Sequence, residues 1–201
     1  VIIDDASENL ATILRLVADL ETSESWEVRA SAAAGLGDFH GDLVLDALIS
    51  AVRDPSAEVA LEAVGALARQ TDGRAWADLT EVLRESAGYL SPLTRAAAVA
   101  AIARLRGAAA LPLMLETVHD YDAEVSIAAI RAAAALSPLD ALVSLRTLLE
   151  DRSCYYAPPV RFAAAEALEA NGVLSPDLAL ELIRTEPDEY VRGVLARVAQ
   201  S

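Results

Sequence analysis

Val28-Arg29-Ala30-Ser31-Ala32-Ala33-Ala34-Gly35-Leu36 returns, with substitutions, from Val59, Thr94, Val125, Val160 and Val191. The spacings alternate between 31 and 35 residues, so the larger period is a double repeat of 66. Counted from the first residue of each copy, positions 0, +4, +5, +8 and +11 lie within about 140° of one another on a helix of 3.6 residues per turn. In the copy that begins at Val125 they are Val125, Ala129, Ile130, Ala133 and Leu136. Such a stripe must be covered by other helices. The preceding segments, Leu43 to Val52 and Leu142 to Leu149, carry Leu and Val at helical spacing as well. Each repeat therefore reads as helix, turn, helix.

The 66-residue register extends beyond the apolar stripe. Arg29, Arg95 and Arg161 coincide, Asp54 falls on Asp120, Tyr89 on Tyr155 and Pro92 on Pro158. Local chemistry marks the boundaries. Ser91-Pro92, Ser137-Pro138 and Ser175-Pro176 place a capping hydroxyl before a Pro at the first helical position, and Asp54-Pro55 and Glu186-Pro187 are expected to act likewise. Twelve helices are expected, near 7–21, 26–37, 42–53, 57–70, 74–86, 92–106, 109–119, 123–136, 138–151, 158–171, 175–185 and 187–200, with no strand.

Residues 28–37 resemble HEAT-like repeats, in particular the short bacterial kind of the phycobilisome lyases, whose second helix reads Val-Arg-x-x-Ala-Ala-x-Ala-Leu-Gly. The resemblance covers about residues 8–200 and is strongest at Asp54–Leu67 and Asp122–Leu136. It implies an all-α, right-handed α-solenoid of about six hairpins, an armadillo-like superhelix. Residues 1–201 then form a single repeat domain behind an N-terminal tail at 1–7, and the absent initiator Met suggests a piece of a larger chain. In the family an Arg at position +1, here Arg29, Arg95, Arg161 and Arg192, resembles an inter-repeat clamp onto turn acids, for which Asp54 and Asp120 are the candidates. Thr94 departs from the motif Val, and Ala60 and Ser126 depart from the motif Arg.

Composition narrows the function. The 201 residues hold 31 acids and 16 basic residues, a net charge of -15, and every basic residue is Arg. Without Lys there is no Walker-type phosphate loop, Schiff base or Ser-Lys nucleophile pair. Cys154 is the sole cysteine, which points to a reducing, cytoplasmic setting. Ala-rich stretches are broken by Arg, Asp or Glu, so no membrane span is expected. No nucleophile elbow, zinc-protease helix or paired-cysteine spacing occurs, and His119-Asp120-Tyr121-Asp122 reads as a turn with Asp54 or Asp120 capping the next helix. The chain is thus expected to be no enzyme and to need no metal or cofactor.

Charge is uneven: residues 1–62 carry -10, residues 63–115 carry +2 and residues 116–201 carry -7. Positions +6 and +10 of the second helices face away from the core and include Arg69, Arg104, Arg131 and Arg197. This fold type would place them on a concave surface, where guanidinium forks suit an acidic or phosphorylated peptide. Tyr89, Cys154, Tyr155 and Tyr156 form a secondary candidate surface on loops, while Trp26 and Trp76 are expected to pack between repeats. The C-terminal segment from Val194 to Ala199 lacks a polar cap, which suggests an exposed apolar end. The leading expectation is a protein-interaction scaffold that binds its partner on the concave helix face. Helical-repeat DNA glycosylases make nucleic-acid binding the alternative, disfavoured by the net charge. A bilin-lyase-like attachment factor ranks third.

Overall fold

A computed structural model of the chain describes residues 5–70, 73–85, 88–151, 153 and 155–201. Helices and turns account for all regular structure among them, and the chain divides into two compact units, Val1–Leu105 and Arg106–Ser201. The all-α repeat class read from the sequence is the class found.

The first unit is built from α1 (Asp5–Thr22), α2 (Trp26–Leu36), α3 (Asp42–Ala51), α4 (Ala57–Leu67), α5 (Ala75–Arg84) and α6 (Pro92–Arg106). Helix α1 begins inside the expected tail: Asp5-Ala6-Ser7 lacks the apolar period by which the rest of the helix is recognised. Helix α2 packs on α1 and α4, and α3 on α1 and α4, so hairpins stack in chain order. The division of labour follows from side-chain size. Helices α2 and α4 bury Ala30, Ala32, Ala33, Ala60, Ala63 and Ala66, whereas α3 and α5 supply Val44, Leu45, Leu48, Leu79, Val82 and Leu83. Alanine lets second helices approach closely, and branched side chains on first helices fill the remaining space.

The second unit opens with a 3-10 turn (Gly107–Ala110). It continues through α7 (Leu111–Thr117), α8 (Ala123–Leu136), α9 (Pro138–Glu150), α10 (Pro158–Ala170), α11 (Pro176–Ile183) and α12 (Glu189–Ala199). Helix α10 packs on α8, α9 and α12, placing the three second helices of this unit side by side. Ser126, which replaces a motif Arg, is buried and its hydroxyl donates to the Val118 carbonyl at 2.6 Å.

Several expectations are corrected. Ser175 caps α11 by accepting from Leu178 N–H, but the Ser137 hydroxyl donates to Asp140 and makes no cap bond. Asp54 and Glu186 precede their helices by more than one residue. The N-cap positions belong to Ser56 and Asp188, and Asp188 accepts from the N–H groups of Tyr190 and Val191. Val194, Leu195 and Val198 are buried, so the last helix does not present an apolar face there. Leu10, Leu14, Trp26 and Val28 are instead exposed on α1 and α2, and Trp26 is not packed between repeats.

One stretch, Pro92–Thr117, does meet the length and apolarity required to cross a membrane. It is broken by the 3-10 turn, where Gly107 has φ 52°, and its first part buries Thr94, Arg95, Ala98, Val99 and Ile102 within protein.

Candidate functional site

In the first unit Arg29 lies at the second turn of α2 and reaches in two directions. Its Nε and Nη2 donate to Asp54 Oδ2 and Oδ1 at 2.7 and 2.8 Å, and Nη1 donates to the Ser23 and Glu24 carbonyls at 3.0 and 3.2 Å. Asp54 Oδ1 also accepts from Ser56 N–H at 2.8 Å, so the carboxylate shapes the turn and does not cap the helix. Arg29 holds the Asp54 carboxyl below its ordinary value; burial opposes this and the Ser56 N–H adds to it.

The stability consequence has a definite sign. A lowered folded pKa contributes stability above the ordinary aspartate value, and that contribution is lost as pH falls through the folded pKa. Asp54→Asn should therefore lower the urea midpoint at neutral pH, and the gap to the parent should close steadily below about pH 4. A gap that stays constant from pH 7 to pH 2 contradicts this role for Asp54.

In the second unit Arg161 makes the corresponding bonds 25 residues forward. Its Nε and Nη2 donate to Glu186 Oε2 and Oε1 at 3.2 and 3.0 Å, and Nη1 donates to the Tyr156 carbonyl at 2.7 Å. The two side chains are only 3% and 2% exposed. Arg192 repeats the backward half, donating from Nη1 to the Glu186 and Pro187 carbonyls at 3.0 and 2.6 Å. Arg95 is buried with Nε and Nη2 donating to the Leu83 carbonyl at 3.1 and 3.0 Å. Asp120 accepts from Asp122 N–H at 2.9 Å, the bond Asp54 makes with Ser56.

The four outward arginines differ. Arg69 folds back over Gly37, where any Cβ would collide with its guanidinium, and donates to the Ala34 carbonyl at 2.7 Å. Arg197 pairs with both oxygens of Glu169 at 2.8 and 2.7 Å, which lowers the Glu169 pKa and raises its own. Arg104 on α6 and Arg131 on α8 are exposed and have no partner among the described residues. The structure thus leaves two of the four guanidinium groups open, one in each unit.

The loop candidates also separate. Tyr89 is 87% exposed in the first unit, and Cys154 lies outside the described residues. In the second unit Asp151 organises the turn before α10: it accepts from the Ser153 hydroxyl and from the N–H groups of Ser153, Tyr155 and Tyr156. Those bonds, the Ser153 hydroxyl foremost, hold its pKa down. The Tyr155 and Tyr156 rings meet edge to face at 5.0 Å, and the Tyr156 hydroxyl shares a 2.8 Å hydrogen bond with His119 Nδ1. Burial pushes the Tyr156 pKa up, with Asp151 adding to it.

The structure adds residues that sequence reasoning missed. Tyr121 lines one cleft beside the expected Tyr155, and Tyr190 lines another with Pro158, Pro159 and Phe162. Their shared signal was position: all stand in the turns or first turns that open α8, α10 and α12. Among the described residues no group of three His, Cys, Asp or Glu side chains is arranged to hold a metal ion.

Stacked helical hairpins tied by arginine-to-turn bonds define a helical-repeat scaffold. Residues 13–90 match the family model described as HEAT repeats. No curated protein sequence matches the chain. Among solved structures it is similar to human deoxyhypusine hydroxylase in complex with glycerol, at 15% identity and a TM-score of 0.47, over 96% of this chain and 97% of that one. The expectation that the chain is no enzyme is not upheld: the similar structure is named as a hydroxylase. At that identity neither its activity nor its residues transfer to this chain.

Proposed function

We propose that the chain is a protein-interaction scaffold that receives acidic or phosphorylated segments of a partner, with Arg104 in the first unit and Arg131 in the second each acting as a separate contact residue. The observation that supports this is the contrast among the four arginines. Arg69 Nη2 is committed to the Ala34 carbonyl and Arg197 to Glu169, while Arg104 and Arg131 are exposed with no partner among the described residues. An open guanidinium can form paired, charge-assisted bonds with a carboxylate or phosphate without first breaking an internal one. With a net charge of -15, long nucleic acid is repelled at distance, which favours a protein ligand.

The test is a comparative capture from native lysate, followed by affinity measurement on the recovered partner. The Arg104→Glu/Arg131→Glu variant should bind roughly tenfold or more weakly than the parent. Arg53→Glu, which alters a surface arginine already paired with Glu81, should change little. Equal binding by parent and double variant removes both arginines from the interface. Recovery of nucleic acid, with affinity falling steeply as salt rises, favours the nucleic-acid alternative.

A further inference from the structure

Five of the chain's nine aromatic residues, Tyr121, Tyr155, Tyr156, Phe162 and Tyr190, gather at the end of the second unit where α8, α10 and α12 begin. Tyr121, Tyr155 and Tyr190 are 60%, 70% and 70% exposed, in a chain that is only 4% aromatic. Two clefts flank the first turn of α10. One, of about 190 Å³, is lined by Tyr121, Tyr155, Tyr156, Ala157 and Val160. The other, of about 330 Å³, is lined by Pro158, Pro159, Phe162, Asp188 and Tyr190 and is almost wholly apolar.

This edge is held in place before any ligand arrives. Asp151 fixes the backbone of Tyr155 and Tyr156, Arg161 holds the Tyr156 carbonyl, and His119 holds the Tyr156 hydroxyl. Fixed tyrosines offer large contact area with little ordering cost, the chemistry of interface anchors.

We propose that this edge docks an extended, proline-containing segment of a partner protein that also carries basic residues. Two features select that chemistry. The apolar cleft offers few acceptors to a peptide backbone, so it suits a residue with no N–H to satisfy, and proline is pre-extended for lying between aromatic rings. The rim is acidic, with Glu124, Asp188 and Glu189 in the first turns and the cap that open α8 and α12. Of the arginines in the same elements, Arg161 is buried against Glu186 and Arg192 is turned to the Glu186 and Pro187 carbonyls, so flanking arginines of a ligand meet carboxylates and tyrosine faces. The inference is independent of the Arg104 and Arg131 reading, which calls for a ligand of opposite charge.

The probe is a fluorescein-labelled peptide of three Arg-Pro-Pro triplets, titrated with the full chain and followed by fluorescence anisotropy. Peptides of Glu-Pro-Pro and Arg-Gly-Ser triplets separate the charge requirement from the proline requirement. The Arg-Pro-Pro peptide should bind roughly tenfold or more tightly than either, and Tyr155→Ala or Tyr190→Ala should each weaken it by about tenfold. Both tyrosines are exposed, so unchanged helicity by circular dichroism is expected of the variants. Absence of Arg-Pro-Pro binding, equal binding of Arg-Gly-Ser, or binding indifferent to both tyrosines overturns the proposal.

Discussion

Replacing Arg161 by Met should destabilise the second unit by about 3–5 kcal/mol, the cost of leaving one member of a buried ion pair without its partner. Glu186 is buried between α11 and α12, and its Oε1 also accepts from Asp188 N–H at 2.9 Å. That single bond cannot replace the two that Arg161 supplies at 3.2 and 3.0 Å. Loss should concentrate in α10–α12, because in a repeat stack each hairpin is stabilised mainly by its neighbours. Urea unfolding gives the magnitude, and hydrogen exchange gives the location.

Two further variants decide what the pair contributes. Arg161→Met/Glu186→Leu removes both charges and should recover most of the lost stability, since the desolvation cost of the pair disappears with its attraction. Arg53→Met breaks the exposed Arg53–Glu81 pair and should cost no more than about 1 kcal/mol. A small effect of Arg161→Met, similar to that of Arg53→Met, rules out the buried pair as a lock between α10 and the turn ahead of α12.

The repeat made much of this legible. Helix positions follow from the stripe, as with α3, expected at 42–53 and found at Asp42–Ala51. The 66-residue register placed Arg29 and Arg161 together and brought Glu186 to the place of Asp54. What a helical wheel cannot show is where a long side chain goes after leaving its helix. Arg69 occupies an outward position yet returns to the Ala34 carbonyl, because Gly37 leaves room for its guanidinium. Arg197 finds Glu169 on the preceding second helix, a pairing set by stacking distance. The rest of the tyrosine edge was harder to read, because Tyr121 and Tyr190 stand at turn positions different from that of Tyr155 and the repeat register does not link them.

The alanine content leads to the second large effect. Leu48 on α3 is fully buried, and Leu48→Ala should cost about 2–5 kcal/mol through lost apolar contact and the cavity left behind. Ala63 on α4 is equally buried, and α4 packs against α2 and α3. A leucine there has no cavity to enter, so Ala63→Leu should cost about 1–3 kcal/mol by forcing helices apart. The two substitutions move hydrophobicity in opposite directions, yet both should destabilise. Separation of α2 from α4 would also strain the Arg29–Asp54 pair, whose atoms lie on α2 and in the turn before α4. Ala63→Leu should therefore weaken the pH dependence assigned to Asp54, whereas Leu48→Ala should lower stability and leave that dependence largely intact. Urea midpoints measured across pH for both variants test this. Retention of the full pH dependence in Ala63→Leu, with no loss of stability, refutes the view that alanine at this position sets helix spacing and, through it, ion-pair geometry.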